Sequence, residues 1–132
     1  GASITNFKQN RSIERSFRII KIGIEISKDQ LHNNINKRID EMVGQGLIDE
    51  ARLLLPFRNL NALQTVGYKE VFDYFDGIYS LDETIEKIKF NTRQYAKRQL
   101  TWFRKDSSVR WVDVNFSNYQ CLINYVQTLG IF

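Results

Sequence analysis

Residues 81–105, LDETIEKIKFNTRQYAKRQLTWFRK, decide the fold of this chain. Apolar side chains return in them every three or four residues, which is the period of one face of an α-helix. We predict a long helix over about 81–105, which the capping-box pair Ser80 and Glu83 opens. The buried seam predicted for it consists of Leu81, Ile85, Ile88, Thr92, Tyr95 and Trp102.

The other faces of this predicted helix are basic. On a helical wheel of about 100° per residue, the cations are Arg93, Lys97 and Arg104 in one narrow arc and Lys87, Arg98 and Lys105 in a second row. No acidic residue occurs from 87 to 105, whereas a face that serves only solubility mixes both signs. Such a surface can neutralise nucleic-acid phosphates, with neutral donors from Gln94, Gln99 and Thr101. An ordinary solvated helix face is the alternative.

Upstream of this helix the chain predicts one strand and three shorter helices. Isoleucines alternate with other residues over 17–26, which indicates a half-buried strand. The first of these helices runs from Ser27 to Gly44 or Gly46. The second covers about residues 47–55 and ends at Pro56, and the third ends at Gly77.

Downstream, residues 109–114 indicate a second short strand and residues 117–129 a terminal helix. We therefore predict a mainly α fold with two short strands. Residues 1–16 form a flexible arm, and residues 17–132 form one unit with a helical region over 28–105. Because an isolated pair of strands is marginal, we expect both strands to be edge pieces of a sheet whose other strands lie outside this chain. The abrupt start at Gly1 indicates a chain cut from a longer protein.

Composition narrows the classes of function. The 132 residues carry a net charge of +4 and 42% hydrophobic residues, as expected of one folded domain. Cys121 and His32 are the only cysteine and histidine, which excludes an internal disulfide and a zinc cluster built from several such residues, and favours a cytoplasmic location. The chain has no phosphate-loop or dinucleotide fingerprint and no outstanding carboxylate pair. We therefore expect it to contain no catalytic residue. No apolar run approaches the ~20 residues that cross a membrane.

Residues 64–69, QTVGYK, lie before the third helix. Gly67 predicts a tight turn in which the backbone comes close to another group. Tyr68 and Lys69 could offer RNA a stacking surface and a cation. The alternative is a loop-to-helix turn with Tyr68 packed in the core. Arg38, in the first helix, either binds a diphosphate through its fork of donors or is a plain surface arginine.

Residues 91–104, NTRQYAKRQLTWFR, closely resemble the helix signature of tRNA dimethylallyltransferases, the IPP transferase family. Residues 63–70, LQTVGYKE, and residues 46–51, GLIDEA, resemble two further blocks of that family, and their order agrees. The likeness covers about residues 17–114, and residues 1–7 resemble the stretch before the strand. It implies the C-terminal part of an α/β phosphate-loop transferase, together with part of its helical insertion.

The resemblance also implies a reaction. An intact enzyme of this family transfers a dimethylallyl group from dimethylallyl diphosphate to N6 of the adenosine 3′ of the anticodon. Its nucleotide-kinase-like core lies in the N-terminal half and uses Mg²⁺, and we expect no cofactor on this chain. The expected partner is the anticodon stem-loop of tRNA, without a membrane. The whole enzyme is expected to be a monomer. This chain by itself could also self-associate, through the apolar surface that the core of the whole enzyme would cover.

Residue by residue, the resemblance assigns Arg38 to the prenyl diphosphate, although Asn34 stands where many members carry a second arginine. The residues that it assigns to tRNA contact are Gln64, Thr65, Val66, Gly67, Tyr68, Lys69, Arg93, Lys97, Arg98, Gln99, Thr101 and Arg104.

Three hypotheses follow: part of an enzyme that binds tRNA without turnover, a freestanding RNA- or DNA-binding helical module, and a structural helical domain. The first predicts no prenyl transfer by this chain alone. It also predicts salt-sensitive tRNA binding that falls when Lys97 and Arg104 become alanine.

Overall fold

The structure, a computed structural model, describes residues 16, 17, 19–113, 123, 124, 127 and 128. Its elements in chain order are strand β1 (Lys21–Glu25), helices α1 (Lys28–Gly44), α2 (Leu47–Leu54), α3 (Tyr68–Phe75) and α4 (Leu81–Phe103), and strand β2 (Val109–Asp113). Two 3-10 turns, Leu55–Phe57 and Asn61–Leu63, lie between α2 and α3. The predicted mainly α fold with two short strands is confirmed.

The helix ends follow the local sequence signals. At the start of α4, Glu83 N donates to Ser80 Oγ (3.3 Å) and Ser80 N donates to Glu83 Oε2 (2.8 Å), so both bonds of the predicted capping box form. At the start of α1, Gln30 N donates to the Ser27 hydroxyl. After α3, Gly77 has a φ of +73°, and the N–H of the next residue, Ile78, returns to a carbonyl of the last helical turn. Glycine ends the helix there because it adopts positive φ without strain.

All four helices contribute to one hydrophobic core. Helix α1 packs against α2 and α4, and α3 also packs against α2 and α4. Two polar contacts join α1 to α4 at the edge of the core: Lys89 Nζ lies 2.8 Å from Asp40 Oδ1, and Arg93 Nη1 donates to Asn36 Oδ1 (3.0 Å). The buried core residues are Ile35, Ile39, Leu47, Ala51, Val71, Phe72 and Ile88.

The two strands pair with each other in parallel, in the register Lys21↔Val109 to Glu25↔Asp113. The connection between them is long enough for the crossover that parallel strands require, and here it contains the four helices. Gly23 lies opposite Trp111. A β-carbon added to Gly23 would lie 2.7 Å from Trp111 Cε3, so the indole ring covers the glycine backbone. Between this sheet and the end of α4 lies a cavity of about 680 Å³ with mainly apolar side chains in its walls.

The predicted seam of α4 is wrong at Tyr95 and Trp102, which are 51% and 68% exposed. The reason is that α3, the helix that packs on this face of α4, is too short to reach them. The first turn of α3 lies beside the middle of α4, where Asn91 Nδ2 donates to Glu70 Oε1 (2.7 Å). The residues of α3 that follow pack in the core with Ile88. Tyr95 and Trp102 lie about one and three turns beyond Asn91, so α3 does not cover them.

Other predicted boundaries shift by a few residues. Strand β1 begins at residue 21 rather than 17, and α4 ends at residue 103 rather than 105. Within α4, Leu81 is 36% exposed although the seam included it, while Thr84, which the seam omitted, is fully buried. Val114 and residues 1–15 lie outside the described residues, as does the predicted helix 117–129 apart from residues 123, 124, 127 and 128, which are helical. The division into an arm and one unit stays a prediction.

Candidate nucleic-acid interface

The exposed face of α4 carries a shallow groove of about 430 Å³. Its lining residues recur every three or four positions. Those within α4 therefore share one side of the helix, and Lys105 follows two residues after its end. We call this surface the α4 groove; it is lined by Gln94, Lys97, Arg98, Thr101, Trp102 and Lys105.

The cations of the α4 groove have no carboxylate partner among the described residues. The ion pairs of the described part of the chain engage other basic residues, such as Lys21 with Asp106 and Lys89 with Asp40. Lys97, Arg98 and Lys105 are exposed, so their charge is available to an anionic ligand at little desolvation cost. The groove therefore has the electrostatics of a phosphate-binding surface.

Thr101 and Tyr95 determine which further contacts a ligand can make at the α4 groove. The Thr101 hydroxyl donates to the carbonyl of Lys97 (2.9 Å). Because its proton is used within the helix, Thr101 can meet a ligand only as an acceptor, not as the donor that we predicted. The Arg98 guanidinium lies 5.9 Å from the centre of the Tyr95 ring. Exposed aromatic rings beside cations are suited to stacking with bases.

Three predicted tRNA-contacting residues of α4 lie outside the groove. Arg93 bonds Asn36 of α1, as described above. Arg104 Nη2 donates to Glu25 Oε1 (2.7 Å), and its guanidinium lies 5.8 Å from the Trp111 ring centre. Gln99 lines the apolar cavity beside the sheet. Tertiary contacts thus divide the predicted arc of Arg93, Lys97 and Arg104, and only Lys97 remains in the groove.

The segment 64–69 forms the turn that leads into α3. Gly67 has a φ of +108°, which favours glycine and confirms the predicted turn. Gly67 N donates to Glu70 Oε2 (2.7 Å). Gln64 Nε2 donates to the carbonyl of Arg58 (2.7 Å) and holds the preceding loop. Thr65, Val66 and Lys69 are exposed at its surface, where a ligand can reach them.

Tyr68 is held against the core. Its ring centre lies 6.4 Å from that of Phe72, and its hydroxyl donates to Glu50 Oε1 (2.6 Å). This bond to a carboxylate, with burial second, raises the pKa of Tyr68 above its ordinary value. These contacts favour the alternative in which Tyr68 packs in the core, and its contact with RNA stays a prediction.

The turn and the α4 groove lie on the same side of α4. Glu70, one residue after the segment, accepts from Asn91. Asn91 and Arg98 are seven residues apart, which is about two turns and roughly 10 Å along the axis on nearly the same face. The fold therefore brings together two segments that lie far apart in sequence.

Arg38 lies apart from these residues. It is exposed on α1, as is Asn34. The helical period places Arg38 about half a turn away from Asn36 and Asp40, the residues that face α4. The structure therefore does not place Arg38, the residue predicted to bind the diphosphate, next to the α4 groove.

The described residues contain no group of three or more histidine, cysteine, aspartate or glutamate side chains arranged to hold a metal ion. Among the described helices, none combines the length and the apolar character needed to cross a membrane.

Gln94 and Lys105, which line the α4 groove, were offered to nucleic acid by the helical wheel but were not among the residues assigned to tRNA contact. Two further candidates were missed from the sequence altogether. Glu70 and Asn91 join the turn to α4. The spacing of Glu70 after Gly67 matches a capping glutamate, whereas nothing in the sequence points to its bond with Asn91.

Comparison with known proteins gives consistent matches. A family model described as IPP transferase matches residues 1–106. The chain is 50% identical over 111 residues to tRNA dimethylallyltransferase 2 of Parabacteroides distasonis, covering 84% of this chain and 37% of that protein. It is 44% identical over 128 residues to tRNA dimethylallyltransferase of Christiangramia forsetii, covering 97% of this chain and 42% of that protein.

A solved structure agrees with the sequence matches. The full-length tRNA isopentenylpyrophosphate transferase of Bacillus halodurans superimposes with a TM-score of 0.78 and 42% identity, over 84% of this chain and 37% of that one. The chain thus spans less than half the length of each of these relatives.

Proposed function

The chain belongs to the IPP transferase family, and from this membership we propose that it is the C-terminal part, carrying the tRNA-binding helices, of a tRNA dimethylallyltransferase. The whole enzyme would transfer a dimethylallyl group to N6 of the adenosine 3′ of the anticodon. The observation that carries the proposal is the α4 groove, whose three exposed cations have no carboxylate partner among the described residues. The proposed place of action is the cytoplasm.

RNA binding would use both segments on that side of α4. Lys97, Arg98 and Lys105 would contact phosphates of the anticodon stem, because an A-form stem is recognised largely through its backbone. The exposed part of the 64–69 turn would contact the loop, whose unpaired bases can be reached at lower cost than those of a duplex. Binding there would hold the target adenosine outside its stack.

The transfer itself forms one bond and breaks another. The N6 nitrogen bonds to C1 of the dimethylallyl group, the C1–O bond breaks, and diphosphate leaves with the electron pair. The nitrogen gives its proton to a base in the part of the enzyme outside this chain. We propose that Arg38 binds the diphosphate, since an arginine fork pairs well with phosphate oxygens. With Asn34 at the neighbouring position, this helix brings one arginine to that task. When bound, magnesium would help to neutralise the charge of the departing diphosphate.

The test is a chimera with a related enzyme. This chain replaces the matching segment of the Parabacteroides distasonis tRNA dimethylallyltransferase, and transfer of labelled dimethylallyl to tRNA is measured. We expect the chimera to be active, the chain alone to be inactive, and the chimera with alanine at Lys97, Arg98 and Lys105 to lose activity through a higher KM for tRNA. A soluble, folded chimera without any transfer would contradict the proposal, as would turnover by the chain alone.

A further inference from the structure

Glu70 is a buried carboxylate that the reaction does not use. It is 5% exposed, and among the ion pairs of the described residues none involves it. Burying a charge is costly unless hydrogen bonds compensate it. Each of its oxygens accepts one bond of 2.7 Å, Oε2 from Gly67 N and Oε1 from Asn91 Nδ2. The positive end of the α3 dipole adds a smaller contribution, since Glu70 lies in the first turn of that helix.

The bond to Gly67 N adds a second restraint on this residue, whose carbonyl accepts from Val71 N (3.2 Å). Glycine at the start of α3 has no side chain with which to complete a capping box, so among the described residues Glu70 provides the only side-chain bond of this cap. Glycine also has more backbone freedom than any other residue. Without the carboxylate, the turn of residues 64–67 would sample other conformations before α3 begins.

The bond to Asn91 fixes where the turn lies. Asn91 is on the face of α4 that carries Arg98 two turns later, as described above. One carboxylate therefore sets both the shape of the turn and its position beside the α4 groove. We infer that Glu70 is a positioning residue that holds the 64–69 segment beside the α4 groove, so that both can contact the same RNA. This inference rests on the proposed function.

The test uses the full 132-residue chain and removes both bonds of the carboxylate. Glu70→Ala leaves Gly67 N and Asn91 Nδ2 without this acceptor. Glu70→Gln is the rescue variant, because its amide oxygen can accept from Gly67 and its amide nitrogen can donate to the oxygen of a turned Asn91 amide. Binding of a labelled anticodon stem-loop is measured by anisotropy, and folding is checked by circular dichroism.

We expect Glu70→Ala to raise the Kd about tenfold, as when the correct turn occupies about one molecule in ten. Glu70→Gln should keep the Kd within about twofold of the original. The direction is informative, because removal of a negative charge by itself strengthens RNA binding. Glu83→Ala is the matched control: it removes the same charge together with the capping glutamate of α4, and its Kd should not rise.

A second readout needs no RNA. The Gly67 amide proton should exchange slowly with solvent in the original chain and in Glu70→Gln, and quickly in Glu70→Ala. Unchanged binding and exchange in Glu70→Ala, or a Glu70→Gln variant that loses both, would overturn the inference. If the original chain bound no anticodon stem-loop, the proposed function would fail and RNA positioning with it. Gly67 exchange would then show separately whether Glu70 sets the turn.

Discussion

Removing the unpaired lysines of the α4 groove should weaken RNA binding in a salt-dependent manner. Lys97 and Lys105 are both exposed and line the groove, and neither is in an ion pair among the described residues. In Lys97→Ala/Lys105→Ala, each lost phosphate contact should reduce the slope of log Kobs against log salt by about 0.7–0.9. The slope should therefore become shallower by about 1.4–1.8 in total.

This change is large enough to measure. Over a fourfold rise in salt, a slope difference of about 1.6 makes the loss of affinity roughly ninefold smaller in the variant than in the original chain. The assay is anisotropy of a labelled anticodon stem-loop, titrated at several salt concentrations. The matched control is Lys28→Ala/Lys37→Ala, which removes two exposed lysines of α1 and leaves the same net charge. Equal slopes in the two double variants would refute the reasoning, because binding would then depend on net charge and not on the groove.

Three further outcomes test the packing and the electrostatics. Gly23→Ala should destabilise the chain by about 1–3 kcal/mol in denaturant unfolding, because the new β-carbon would lie 2.7 Å from the Trp111 ring. Equal stability of the variant and the original chain would contradict the packing of that ring. Thr84→Val should stabilise the chain by about 1 kcal/mol, because the buried Thr84 hydroxyl has no hydrogen-bond partner among the described residues; a loss of stability would show that a partner exists. Bonds from Lys21 and then Ser108 lower the pKa of Asp106 from 3.8 to about 2. The contribution of this carboxylate to stability should therefore be complete above pH 3.8 and lost as the pH falls through about 2. In an NMR titration, Lys21→Ala should raise the Asp106 pKa, and an unchanged value would exclude that ion pair in solution.

Much of the fold could be predicted because its signals are local. A capping serine and a glutamate three residues later form their bonds within one turn of the same helix, so Ser80 and Glu83 mark the start of α4 in the sequence itself. Gly77 acts equally locally, through its own backbone conformation. The strand and helix periods likewise depend only on neighbouring residues.

The partners of the cations could not be predicted, since they depend on elements distant in the chain. A helical wheel places Arg93 and Arg104 in the same arc as Lys97, but it does not show that Asn36 lies beside one and Glu25 beside the other. The exposure of Trp102 has a similar cause, because it depends on where α3 begins relative to α4. The bond between Glu70 and Asn91 shows where α3 begins relative to α4, and the sequence does not predict that bond.

The most direct test of RNA binding by these helices is a map of the contact surface. The chain, labelled with ¹⁵N, is titrated with an unlabelled anticodon stem-loop, and amide shifts are followed by NMR. We expect saturable shifts to cluster at residues 65–69 and 94–105, with little change across the outer face of α1 around Lys37. Saturable shifts confined to α1 and α2, or no shifts with a stem-loop in excess, would contradict the account.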